Sequence, residues 1–475
     1  MKIINKFLIG CFTALLFTGC NDAIDITQPG RLSAENAFRS VDDLQQGLFA
    51  VYNQFDTTPE ISLASNFTDE ISIGFGTGGQ GFALYDFVLN SGSAAASDFW
   101  VRNYRVNNRA TILIEAALAL AVAAEDQDQF NNILAQAYFI RAYANLELLT
   151  YFSVNPRDDA SLSVPVIDFI PNLTIQPTRN TVGESWLYIN SDIQNALNLS
   201  TVQSDATFIS IDAINAFKAR AALLRGEYTV AKGLANQILT SYPIANRSDY
   251  QAMFSDNSNA EIIFKLERTA NGPYDGQVNT GSVATGGGWA GSIYTFESIN
   301  ADGYFEMDRD VFNALDPSDI RYDVNVSPAS VIDPNYETSI NPIATDRLII
   351  AKYPGSENQP LMNDLKVFRS SEMLFIVAES LAFEDDYDAV AALLKDLRDA
   401  RFGSAQPLLS LNSRQEALGA ILDEKRIEFV FEGHRYRDLK RVGVEANRGI
   451  ERNTTDCEFQ SGACTLPASD FRFTL

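Results

Sequence analysis

The chain has 475 residues, 46% apolar and 20% charged, the balance of a folded protein with core enough for one large or two ordinary domains. Its formal charge of −25 repels phosphate backbones, so nucleic acid is excluded as a partner. One histidine and four cysteines supply no set of zinc ligands, and no H-E-x-x-H, G-x-S-x-G or G-K-[S/T] motif occurs, so the sequence points to no catalytic residue, no metal and no cofactor.

Residues 1–19 read as a leader, with Lys2 and Lys6 ahead of an apolar run from Phe7 to Phe17 that is too short to span a membrane. It ends in Phe17-Thr18-Gly19-Cys20, which resembles a bacterial lipobox with phenylalanine where leucine is commoner. Cys20 is therefore the expected lipidated N-terminus, residues 20–30 a tether, and acyl chains the membrane anchor. Cys11 leaves with the leader, so Cys457 and Cys464 are the expected disulfide of an exported protein.

Ser33 to Tyr52 has helical periodicity, and residues 56–99 are irregular. Within them Gly74-Phe75-Gly76-Thr77-Gly78-Gly79 matches the dinucleotide fingerprint by letter but lacks the strand and helix that give it meaning. A loop is the expectation, and Phe75, Phe82 and Tyr85 make it a candidate ligand loop. Trp100–Ala124 and Asp128–Phe152 pattern as a helical hairpin, followed by an extended crossing marked by Pro156, Pro165, Pro171 and Pro177. Thr181 and Glu184 then form a capping box at the start of another helix.

An internal repeat follows: Ala219–Pro243 carries small residues and a Glu227-Tyr228 turn, and Ala378–Arg398 repeats the scheme with Asp386-Tyr387. Hairpins of this kind bury one face only against the next, so several must stack. Four are expected: 100–152, 181–225, 227–241 with 371–384, and 387–402 with the helix that opens at Ser413. This divides the chain into a helical region at 31–243, an excursion at 244–370 and a C-terminal region at 371–475. The excursion holds strand-like segments at 261–267 and 347–353 and a glycine-rich stretch around Trp289, Tyr294 and Phe296, with Tyr304 beyond it. Exposed aromatic faces beside polar residues grip ligands, so Trp289, Tyr294, Phe296 and Tyr304 are the first candidates for ligand contact, and Phe75, Tyr85 and Trp100 the second.

Ser413 to Gly443 is the most constrained stretch. Ser413 and Glu416 have capping-box spacing, Gly433 is a natural terminator, and a helix of about five turns between them has apolar residues on both sides, so it is internal. Glu424, Glu428 and Glu432 form a row that repels unless cations interleave; Arg398, Arg401, Arg426, Arg435 and Arg437 are available. The expectation is a structural charge network, with His434 inside it, rather than an acid–base site.

The run EKRIEFVFEGHRYRDLKRVG at 424–443 closely resembles the C-terminal signature of the SusD/RagB family, the surface glycan-binding lipoproteins of Bacteroidetes nutrient-uptake systems. LSAENAFRSVDDLQQGLFAVYN at 32–53, AQAYFIRAYANLELLTYFSVNP at 135–156 and RNTVGESWLYINSDIQNAL at 179–197 resemble the family too. The resemblance implies an all-α-dominated fold of four tetratricopeptide-like hairpins in a right-handed superhelix, with ligand loops too variable to carry residues over. It also implies a cell-surface lid that captures glycan above a SusC-like TonB-dependent transporter in the outer membrane. Such proteins usually close with a strand, a Pro-Ile-Pro motif and a glutamate, whereas this sequence stops at FRFTL, so a further C-terminal piece is expected. The alternative from the repeats alone is a tetratricopeptide-like scaffold binding peptide or protein, and a hydrolase ranks third.

Overall fold

The computed structural model describes residues 37–78, 81–88, 92–171, 174–201, 203, 205–270, 288–459 and 463–470. The leader, Cys20 and the tether lie outside them. Helix α1 (Val41–Tyr52) begins after Ser40, whose extended backbone and side chain, which accepts from the Asp43 amide, interrupt the helix expected from Ser33. Helix α2 (Thr58–Phe67) follows, with a proline in its first turn. Helices α3 (Ala94–Ala119) and α4 (Gln127–Phe152) form the expected hairpin, α3 starting before Trp100. From Ile133 to Phe152 every residue of α4 is buried, because α1, α3, α5 (Val182–Leu199) and α6 (Ile211–Arg225) surround it. A helix enclosed on all sides needs small residues where neighbours come close, and Ala135, Ala137, Ala142 and Ala144 supply them.

Pairing beyond α4 differs in two respects from the repeat-based expectation: α5 does not pair with the helix that follows it, and the 387–402 helix packs chiefly on 370–383 rather than on the helix that opens at Ser413. Helix α5 carries the Thr181–Glu184 capping box as read, but residues 200–210 separate it from α6 and the two touch only lightly. Helix α6 pairs instead with α7 (Tyr228–Leu239), because Gly226 adopts φ +86° and turns the chain within two residues. Helix α7 then lies against α8 (Ser370–Phe383), more than a hundred residues later, as expected. Helix α8 pairs with α9 (Tyr387–Phe402), and α10 (Arg414–Glu428) with α11 (Arg435–Ala446). The helix expected to reach Gly433 thus ends at Glu428, and Phe431 (φ +66°) and Gly433 (φ +85°) reverse the chain into α11. Ser413 caps the Glu416 amide, while the Glu416 carboxylate takes the amide of Asn412.

Among the described residues there are three antiparallel strand pairs: β1 (Ile71–Ile73) with β3 (Phe305–Met307), which ties the excursion to the N-terminal region, β2 (Ile262–Leu266) with β4 (Leu365–Arg369) within the excursion, and β5 (Ile450–Glu451) with β6 (Thr465–Leu466) in the C-terminal region. The β2–β4 pair brings the two ends of the excursion together beside α6 and α8. Residues 347–353 form no regular strand, because their backbone bonds go to separate partners: Val331, Ser327, Met307 and Asn325. Phe264, Ile293, Tyr294 and Phe305 of the excursion share one core with Phe139 and Tyr143 of α4. Cys457 and Cys464 are bonded, with Cα atoms 5.3 Å apart, across the loop joining β5 to β6.

The glutamate row of α10 and the turn after it is buried and paired. Glu428 accepts from Arg401 at 2.8 and 3.0 Å and from Arg369 at 3.0 Å, and Arg321 pairs with Glu424 at 2.7 Å. Glu432 receives Arg369 and Lys352, each at 2.9 Å. Arg398 and Arg401 interleave as expected, but Arg321, Lys352 and Arg369 come from the excursion. Arg426 and Arg435 turn away to Asp69, and Arg437 to Glu147. His434 stacks on Phe429 at 4.2 Å, and burial pushes its pKa well down, helped by Arg437 and Arg220.

Candidate functional site

Gly74 and Gly76 of the 74–79 loop serve close packing, and Gly79 lies outside the described residues. A Cβ on Gly74 would stand 2.5 Å from the Gly303 carbonyl, and one on Gly303 would stand 2.6 Å from that of Phe305. Without side chains the two turns lie back to back, the Gly74 amide donating to Tyr304 O at 2.8 Å and the Gly76 amide to Gly303 O at 2.9 Å. Among the described residues no dinucleotide-type helix follows this loop; β1 precedes it and pairs antiparallel with β3.

That backbone contact brings side chains from three segments together. Phe75 is 51% exposed and Phe296 53%. Phe296 tilts against half-buried Tyr304 with ring centroids 3.5 Å apart. The Arg347 guanidinium lies 5.7 Å from the Phe75 ring centre and pairs with Asp302 at 2.7 Å. Exposed rings beside a paired donor and acceptor match what a neutral sugar offers, C–H faces for the rings and hydroxyls for the ion pair. Beneath them, buried Glu306 of β3 accepts from the amides of Phe75 at 2.8 Å and Leu348 at 3.0 Å.

The remaining candidates fall elsewhere. Tyr294, read as exposed, is 2% exposed; its hydroxyl lies 2.9 Å from that of Ser65 and its ring packs edge-on against Phe431. Tyr85 is buried beneath the Arg452 guanidinium, 3.7 Å from the ring centre. Neither can touch a ligand as placed, because each faces the core from its short helical turn. Trp100 is half-buried and packs edge-on against Phe152 and beside Tyr104, each at 4.9 Å. Trp289 opens the turn Ala290–Ile293 half-buried, its indole N–H enclosed without an acceptor, and among the described residues no ring contact links it to Phe296. Sequence reading missed Asp302, Glu306 and Arg347. The ADGYFEMD run carries the first two among aromatic residues, whereas Arg347 opens the strand-like 347–353 segment, whose pattern says nothing of a partner in the loop of Phe75.

Two small interior cavities are lined by Glu60, Tyr143, Arg220, His434 and Arg437, and by Glu372, Lys425, Arg437 and Arg441. Arg220 pairs with Glu372, Arg437 with Glu147 and Arg441 with Glu379, while Glu60 takes the Tyr143 hydroxyl, and spaces this small suit trapped water rather than an oligosaccharide. Among the described residues no cluster of three histidine, cysteine, aspartate or glutamate side chains could hold a metal ion, and no helix is long and apolar enough to cross a membrane.

Comparison with known proteins agrees across most of the chain. Residues 323–461 match a family model described as the SusD family, and residues 51–223 match one described as starch-binding associating with outer membrane. SusD-like protein P2 of Formosa agariphila is 26% identical over 474 residues, covering 91% of this chain and 90% of that protein. SusD-like protein P38 of the same organism is 25% identical over 391 residues, covering 72% and 71%. Among solved structures, a SusD superfamily protein from Bacteroides thetaiotaomicron superposes with a TM-score of 0.73 at 22% identity, covering 91% of this chain and 95% of that one. The surface glycan-binding protein A of Bacteroides fluxus gives 0.68 at 17%, covering 90% and 93%. The helix-dominated fold is shared with both.

Proposed function

Since the chain belongs to the SusD/RagB family, we propose that it binds neutral glycan at the outer membrane and delivers it to a SusC-like TonB-dependent transporter. The observation that carries this reading is the exposed platform of Phe75, Phe296 and Tyr304 beside the Asp302–Arg347 pair. It is supported by the starch-binding description of the matched family model and by a structural neighbour that is a surface glycan-binding protein. Anchoring through an acylated Cys20 would hold this surface outside the membrane. No enzymatic step is assigned: Glu428 and Glu147 are paired with arginines away from the platform, and Glu306 beneath it is occupied by two backbone amides.

The platform draws on two regions of the chain, Phe75 from the N-terminal region and Phe296, Asp302, Tyr304 and Arg347 from the excursion. Affinity electrophoresis and calorimetry against a polysaccharide panel that includes soluble starch test the reading. Binding that weakens in Phe296→Ala and Phe75→Ala supports it; silence across the panel, or binding indifferent to both substitutions, sinks it. Purification of the lipidated protein from membranes with a barrel-sized partner tests delivery, and recovery of only soluble partners would argue for a protein-binding scaffold instead.

A further inference from the structure

One carboxylate holds both halves of the platform. Glu306 sits at the centre of β3, opposite Ser72 of β1, and is 2% exposed. Oε1 accepts the amide of Phe75 and Oε2 the amide of Leu348. Phe75 is the exposed ring of one loop, and Leu348 follows Arg347, whose side chain pairs with Asp302. The Met307 amide donates to Leu348 O at 2.9 Å, which holds the 347–348 segment beside β3, and the Arg347 guanidinium reaches the Phe75 ring from there.

We propose that Glu306 is a positioning residue that makes the glycan platform sensitive to acid: as a carboxylate it accepts from both amides and fixes Phe75 beside Arg347, and as a carboxylic acid it holds one of them much more weakly. The inference rests on the platform being the ligand surface and concerns how that surface is regulated. Protonation removes the charge and leaves one of the two oxygens as an O–H, a far poorer acceptor than a carboxylate oxygen, so one amide loses its charge-assisted bond.

The electrostatic setting brings this change close to neutral pH. Burial pushes the Glu306 carboxyl up to about 7; the Phe75 and Leu348 amides pull it down, Asp302 adds to the rise and Arg347 opposes it. Asp456, on the short helix Thr454–Phe459, also faces Glu306, whereas Ser72 on β1 is uncharged. Glu70 and Asp308, deeper in the same region, are pushed to about 7 as well, so a pH response alone does not identify the group. Glu306→Gln does, because its amide oxygen accepts one N–H while its NH2 opposes the other, mimicking the protonated acid at every pH.

The test compares the wild type and Glu306→Gln at pH 8.5 and 5.5 in two measurements. Hydrogen–deuterium exchange, corrected for intrinsic rates, follows the peptides containing Phe75 and Leu348; affinity electrophoresis with soluble starch follows binding. Wild-type protection should fall on acidification in at least one of those peptides, starch binding should weaken by about tenfold, the effect of one charge-assisted hydrogen bond, and both responses should be absent in Glu306→Gln. Unchanged wild-type protection overturns the inference without needing the variant to fold, and so does a pH step of equal size in Glu306→Gln. If starch never binds but the exchange step appears in the wild type alone, the positioning role of Glu306 stands while the starch reading fails. If starch binds equally at both pH values, the glycan reading stands and the acid sensitivity does not.

Discussion

Glu428→Gln is expected to cost this fold several kcal/mol while changing almost no volume. The carboxylate is fully buried, accepts from Arg401 at 2.8 and 3.0 Å and from Arg369 at 3.0 Å, and lies 3.4 Å from Arg321. A glutamine there removes the charge and turns one acceptor into an N–H that faces arginine. The three guanidiniums, none more than 2% exposed at the side chain, are left with Glu261, Glu424, Glu432 and Asp319. Breaking a buried ion pair by removing one partner costs about 3–5 kcal/mol, against a total stability of about 5–15 kcal/mol. Urea denaturation at pH 7, followed by circular dichroism, should show a loss in that range.

The acid dependence of the Glu428→Gln effect supplies an independent check. Burial by itself would raise Glu428, but Arg401 and Arg369 hold its carboxyl well below the ordinary 4.5. A lowered carboxyl contributes stability that is complete above the unfolded value and is lost as pH falls below it. The gap between wild type and variant should therefore stay flat from pH 7 to about 5 and shrink only below 4.5. A loss under about 1 kcal/mol at pH 7, or a gap that closes above pH 5, would refute the view that this network clamps α10 between α9 and the excursion.

The other predictions concern the platform and its supports. Phe296→Ala or Phe75→Ala should weaken glycan binding by about 1.5 kcal/mol, roughly tenfold in Kd, if a sugar covers about 60 Å² of ring at about 25 cal/mol per Å²; calorimetry should show this with an unchanged melting temperature, because both rings are exposed. Tyr294→Phe should do the reverse, costing about 1 kcal/mol of stability for the lost contact with Ser65 while leaving affinity intact. Gly74→Ala should lower affinity with unaltered helical circular dichroism, since its methyl would push the Phe75 loop off Gly303. Cys457→Ser should cost about 2 kcal/mol in thermal unfolding, as expected for opening so short a disulfide loop, and a change indistinguishable from zero would assign the loop's order to β5–β6 pairing alone.

Much of the fold was legible because its strongest signals are local. The Thr181–Glu184 and Ser413–Glu416 spacings mark helix starts that the structure keeps, and the Glu227-Tyr228 turn marks a break between helices. Pairing was less legible, because the hairpin at 211–239 is set by a two-residue turn while the repeat scheme counted by helix number. The α10 helix was read too long for a related reason: Phe431 adopts φ +66°, a conformation its residue type does not advertise. Charges were legible in kind and not in partner. A row of three glutamates demands cations, but nothing in sequence says that Arg321, Lys352 and Arg369 would arrive from a separate segment.

The site separates two aromatic residues that sequence cannot tell apart. Tyr294 and Phe296 stand two positions apart in the same glycine-rich stretch, yet one lies in the core and the other in solvent. The turn Ala290–Ile293 ends between Trp289 and this pair, and β3 pairs beyond it, so inward and outward are decided by where Gly303 and Gly74 let the backbones meet. Within β3 the two-residue period points Glu306 away from the face of Phe305 and Met307, and Tyr304 stands at the bend just before the strand. Tyr304 stays partly open, whereas Glu306 is covered by the Phe75 loop and the 347–348 segment that it hydrogen-bonds. An acidic residue two positions from a partly open aromatic is ordinarily a solvated neighbour. Here the loops that carry the platform are what bury it, so their position and its charge depend on each other.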